Sequence, residues 1–125
     1  MDLRDKIICI TYALIAIAAL PATWINNIAF ITQSHSSSPM DFIRAVYVNA
    51  AAASLTNDLL FVAAAASIFM FLEGRRVGVR YLWLYLLLSP LVAISVTFPL
   101  FLLARHRIIV ADQSPPSTDK IVSNP

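Results

Sequence analysis

Three apolar runs dominate the chain, and charged residues gather at their ends. The first extends from Ile7 to about Phe30, and the third from Tyr81 to about Leu103, with Pro90 and Pro99 inside it. A bilayer crossing needs roughly 20 apolar residues, and both runs supply them. The second run needs more care. Leu59 to Leu72 would cover only about 21 Å at ~1.5 Å per residue, short of the ~30 Å hydrocarbon core. The second span must therefore begin before Asp58, near Ala52 or earlier. That places a carboxylate about a turn and a half inside the membrane.

The stretch "MDFIRAVYVNAAA" (Met40 to Ala52) fits two arrangements. It extends the second span as a long tilted helix, or it lies as a short interfacial helix before it. Both stay open. Before it, "TQSHSSSP" (Thr32 to Pro39) reads as a loop by its Ser and Pro content. At the other end, "ADQSPPSTDKIVSNP" reads as a disordered tail. The expected organisation is an all-α transmembrane domain of three helices over residues 1–110 and a polar tail over 111–125.

Composition agrees. Of 125 residues, 59% are hydrophobic and 13% charged. A soluble domain carries about 25% charge. The formal charge of +2 is too small to suggest nucleic acid, so the expected partners are the lipid bilayer and other membrane protein subunits. Arg4, Lys6 and "AIAA" (Ala16 to Ala19) resemble a signal peptide. The run continues past them through Trp24, and Asp2 and Asp5 are unusual in such a region, so a retained span is expected. Cys9 is the sole cysteine and excludes an internal disulfide. Three uninterrupted spans put Arg4, Lys6, Arg75, Arg76 and Arg80 on one side and Arg44, Arg105 and Arg107 on the other. This bias favours a cytoplasmic N-terminus and an outside C-terminus in a plasma membrane of bacterial type.

In lipid, close helix packing needs small residues four apart. Ridges of this kind are Ala18–Ala22–Asn26, Ala50–Ser54–Asp58 and Ser89–Ala93–Thr97. With three full spans, Asn26, Asn27, Asn49, Asp58, Ser95 and Thr97 all fall in the outer half of the bilayer, with Arg105 at its edge. Polar groups at that depth should meet one another, and Asp58 should hold either a proton or a partner, with Arg105 the first candidate and Arg44 the second. The cluster is either a clamp that fixes helix register or a binding site. A second charged group, Glu73, Arg75, Arg76 and Arg80, marks the cytoplasmic turn after the second helix. Tyr81, Trp83 and Tyr85 read as headgroup anchors.

The chain lacks a nucleophile elbow, a paired Cys motif and a Gly-rich phosphate loop. His35 and His106 have no second His at helical spacing, so no metal or cofactor site is expected.

Three segments carry a resemblance: "NAAAASLTNDLL", "FLEGRRVGVRYLWL" and "LVAISVTFPLFLLAR". In order and spacing, over about Leu14 to His106, they resemble the small integral-membrane proteins of domain-of-unknown-function family 2834. The resemblance implies three helices, bacterial occurrence and no assigned activity. It also makes Asp58, Glu73 and Arg105 parts of a family pattern.

The expected function is that of a non-enzymatic accessory or assembly subunit of a membrane complex. A small carrier of lipophilic ligands built on the polar cluster is the second reading. An isoprenoid-cyclase-like subunit is a remote third, because the Pro-x-Glu-Glu type of motif such enzymes use does not occur here. The tail has nothing to bury. Truncation after Ala111 should therefore leave membrane level and detergent melting temperature unchanged, whereas a large drop in either would mean that the tail docks.

Overall fold

The computed structural model describes residues 1–33 and 38–115, and every regular element among them is a helix. In order these are α1 (Leu3–Gln33), α2 (Pro39–Val46), α3 (Ala50–Val77), α4 (Leu82–Leu91) and α5 (Ile94–Gln113). Three of them, α1, α3 and α5, are long and apolar enough to cross a membrane. The chain is thus an all-α bundle of the membrane type. Loop residues 34–37 and tail residues 116–125 lie outside the described residues. Helix α5 continues to Gln113.

Between the two arrangements open for Met40 to Ala52, the structure has the separate short helix. Ser38 starts α2 by accepting a hydrogen bond from the Met40 amide, and Pro39 fits the first turn, where no N–H is needed. Asn49 then caps α3, its side chain accepting from the Ala52 amide at 2.8 Å. Two hydrogen bonds hold the pair together. The Tyr47 hydroxyl donates to Asn57 Oδ1 at 2.9 Å, and Thr56 donates to the Val46 carbonyl at 3.0 Å. The Phe42 ring meets Phe30 of α1 edge to face at 5.4 Å.

The third apolar run departs from expectation. Tyr81 to Leu103 is not one span; it breaks after Leu91 and reverses. Helix α4 runs through Pro90, which supplies no N–H, and ends at Leu91, with the Val92 amide still donating to the Leu88 carbonyl. Ala93 is extended, and its carbonyl accepts the amides of Val96 and Thr97 to begin α5. The reversal forms a helical hairpin. Ser89 meets Thr97 at 2.8 Å and Tyr85 meets Phe101 at 6.0 Å between ring centroids, pairs that step equally away from Ala93.

Contact order fixes the other directions. Phe69 packs on Phe101 and Glu73 bonds Arg105, one turn on in both helices, so α3 and α5 run parallel. Asp5 meets His106 while Trp24 meets Val92, so α1 and α5 run antiparallel. Arg105 and His106 therefore share an end of the bundle with Asp5 and Glu73. Three uninterrupted spans would have put them at the opposite end.

The core lies at this shared end. Met70, Val79 and Phe101 are buried, ringed by Leu82, Leu86, Ile94, Phe98 and Leu102. Tyr85 belongs to this ring, whereas Tyr81 and Trp83 are exposed. Gly74 is where α3 and α4 come closest, and a Cβ there would collide with the Leu82 methyls. Gly78, at φ 78°, caps α3 in the left-handed conformation and lets the chain turn into α4. The remaining surface is apolar. Helices α1 and α3 make few contacts with each other, because α5 packs against both.

The reversal has a direct test. In a Cys9→Ser background, Gly78→Cys and Asp112→Cys should both react with an impermeant thiol reagent from the same face of the membrane. Labelling from opposite faces would restore three uninterrupted crossings.

Candidate functional site

The strongest constellation of charge sits at the shared end. Glu73 ends the apolar part of α3, one turn before Arg76 and beside Arg105 of α5. The Arg76 guanidinium grips it as a fork, with Nε on Oε2 at 2.7 Å and Nη2 on Oε1 at 2.6 Å. Arg105 donates from Nε to the same Oε1 at 2.6 Å, and its Nη2 completes the ion pair 2.6 Å from that oxygen. Forked guanidinium–carboxylate contacts are among the strongest protein hydrogen bonds. The side chain of Glu73 is only 12% exposed and that of Arg105 28%, against 67% for Arg76. Arg105 also lies over the Phe69 ring at 6.0 Å. Arg75 covers Phe71 at 5.5 Å, and Arg80 covers Tyr81 at 5.9 Å. On the far side of α5, His106 Nε2 meets Asp5 Oδ1 at 3.0 Å. The two contacts tie α5 to both long helices at one level.

The intramembrane cluster expected around Asp58 is not assembled within this chain. Asn26 donates to the Ala22 carbonyl of its own helix at 2.9 Å. Asn49 is spent on the α3 cap. Ser95 lies 3.5 Å from Thr23, and Thr97 pairs with Ser89 inside the hairpin. Arg105 bonds Glu73 rather than Asp58. Along α3, Asp58 is about 22 Å from Glu73 at ~1.5 Å per residue, beyond any guanidinium's reach. Asp58 itself is exposed, and no hydrogen bond or ion pair involves it among the described residues. Its neighbours Thr56 and Asn57 make the polar contacts to α2 instead.

The small-residue ridges divide in the same way. Ser89 and Thr97 are buried in the hairpin. Ala18, Ala22 and Asn26 face outward, as do Ala50, Ser54 and Asp58. The first half of α3 is uncovered, with Phe61 79% exposed and Leu55, Leu59, Leu60 and Val62 also exposed.

Two clefts open on the described surface. One, of about 240 Å³, lies between the end of α1 and α2 and is lined by Trp24, Asn27, Phe30, Ile31, Pro39 and Phe42. The second opens between α1 and α5 at the charged end. No group of three His, Cys, Asp or Glu side chains that could hold a metal ion converges among the described residues.

Sequence reasoning missed the Glu73–Arg105 pair, and one signal pointed to it. Placing Arg105 and Arg107 beside Arg4, Lys6, Arg75, Arg76 and Arg80 gathers seven of the nine Lys and Arg at one end. Arg44 alone stands at the other, while Lys120 is outside the described residues. That asymmetry satisfies the positive-inside rule far better than five against three.

A family model described as "Protein of unknown function DUF2834" matches residues 11–107. No curated protein matches the chain, and no solved structure does.

The ion pair predicts a graded mutational response. Glu73→Gln should destabilise the bundle by roughly 1–3 kcal/mol, the range for a lost charge-assisted bond. In double-mutant cycles read by detergent unfolding, the Glu73–Arg105 coupling should exceed the Glu73–Arg76 coupling. The latter, within one helix and exposed, should be about 0.3–0.5 kcal/mol. Equal couplings would mean that the tie between α3 and α5 contributes nothing special.

Proposed function

The chain belongs to the DUF2834 family, whose description carries no activity to transfer, and we propose that it is a non-enzymatic accessory or assembly subunit of a membrane complex. One observation carries this reading: Asp58 is exposed and without a partner on the uncovered half of α3. A charged Asp costs roughly 3 kcal/mol at the centre of a membrane helix. Among the described residues nothing offsets that cost. A neighbouring subunit's helix that brings a donor to Asp58 would offset it, and the adjacent Ala50 and Ser54 allow the close approach that such docking needs. The proposed residence is a bacterial plasma membrane with the Arg-rich end cytoplasmic. The gathering of seven basic residues at that end supports this orientation, which makes both termini cytoplasmic.

One observation favours the second reading, a carrier of lipophilic molecules. The cleft beside Trp24 and Phe42 is mostly apolar, and the Asn27 amide on its wall makes no hydrogen bond among the described residues. An apolar pocket with a few placed polar groups, here Asn27 and Ser38, is the usual form of a small-ligand site.

Purification in mild detergent separates the two. A stoichiometric membrane subunit should accompany the chain, be lost with Asp58→Leu, and survive Arg75→Gln. The isolated chain should tolerate Asp58→Ala within about 0.5 kcal/mol, because Asp58 bonds nothing in it. Recovery of the chain alone with a bound lipophile, displaced by Asn27→Leu, would replace the subunit reading with the carrier.

A further inference from the structure

At the Arg-rich end a cleft of about 400 Å³ opens between α1 and α5. Two features define it. Its mouth holds Lys6 of α1 and Arg107 of α5. Its walls are Cys9, Ile10 and Ala13 from α1 and Leu103 from α5. These residues form two matched stripes. Lys6, Ile10 and Ala13 recur at helical spacing on one face of α1, and Leu103 lies one turn before Arg107 on α5. Each stripe therefore presents a cation at the bundle end and apolar surface toward the bundle middle. The small side chains of Cys9 and Ala13 leave the wall recessed.

The cations at the mouth are available. Glu73 is engaged with Arg76 and Arg105 and Asp5 with His106, while the exposed Asp2 carboxylate, one turn before Lys6, forms no ion pair with it. Lys6 and Arg107 have no carboxylate partner among the described residues, and both are exposed. A free inorganic anion would use only this mouth and leave the apolar groove below it empty. A glycerophospholipid fills both parts, with a phosphodiester at headgroup level and an acyl chain below. Basic pockets between membrane helices at the cytoplasmic face suit anionic headgroups on the same grounds.

We propose that this cleft binds an anionic glycerophospholipid, its phosphate held between Lys6 and Arg107 and one acyl chain laid along Cys9, Ile10, Ala13 and Leu103. The lipid spans the α1–α5 seam and so joins the two helices where Asp5 and His106 already meet. This site is independent of the subunit reading, since it uses neither Asp58 nor α3.

The test uses the full chain in mild detergent with three probes: phosphatidylglycerol, phosphatidylcholine and inorganic phosphate. Native mass spectrometry should show one phosphatidylglycerol retained per chain, and that lipid should raise the melting temperature more than the other two probes. Each basic residue near an anionic lipid is worth roughly fivefold in affinity, so Lys6→Gln with Arg107→Gln should weaken retention about thirtyfold. The pair Arg75→Gln with Arg80→Gln, at the same end but outside the cleft, should change retention little. Ala13→Phe fills the groove without touching the charges and should abolish retention too, a second route if the charge variant folds poorly. Equal retention of phosphatidylcholine, an equal shift from phosphate alone, or an equal loss from the Arg75 and Arg80 changes would each overturn the proposal.

Discussion

The architecture depends on the reversal of the chain between Leu91 and Ile94. In lipid no water is present to satisfy an interrupted helix, so a break must find protein partners. Here it does. The Val92 carbonyl accepts the Trp24 indole N–H from α1 at 2.8 Å. The Val92 amide still donates back to Leu88, and the Ala93 carbonyl takes the first amides of α5. Ser89 and Thr97, the two hydroxyls flanking the turn, bond each other and are buried. Each of these contacts needs the others. Without the Trp24 bond, the tip exposes a carbonyl; without the small Ser89 and Thr97, the two arms cannot close.

From that reversal the charged end follows. Because α5 returns toward the end from which α4 departs, Arg105 arrives beside Glu73 and His106 beside Asp5. Lipid gives helices no hydrophobic drive to associate, so polar ties and close packing determine which surfaces meet. The ties lie at one level, next to the Met70–Phe101 core.

What the sequence revealed follows the same physics. Apolar run length, read against bilayer thickness, located α1 and α3 and required α3 to begin well before Asp58. The Asn49 cap and the Ser38–Pro39 start were written in side chains, and they account for the separate α2. Direction was not written in hydrophobicity. A helix surrounded by lipid is apolar on most sides, so periodicity cannot tell a crossing from a hairpin. Pro90 marked a defect but not its size, because proline kinks some membrane helices and ends others. Reading one unbroken span through it placed Arg105 at the opposite end, beside Asp58, whereas it bonds Glu73. The distribution of arginines was the better guide, since charge asymmetry depends on the path of the chain.

The two ends of the bundle now differ in kind. At one, α5 is bonded to α1 and α3 and the core is closed. Beyond the hairpin tip, α1 and α3 continue without each other's support, bridged by α2 alone. Local stability follows contact density, so the second half is the one able to adapt. It also carries the exposed carboxylate and the outward-facing ridge Ala50–Ser54–Asp58. A chain selected only for its own stability would gain by replacing Asp58 with an apolar residue, because no described residue uses the charge. Keeping it makes physical sense if its contribution is counted in an assembly, where a donor from outside turns a desolvated carboxylate from a cost into a specific contact. The closed end holds the fold together, and so leaves the open end free to be built for something else.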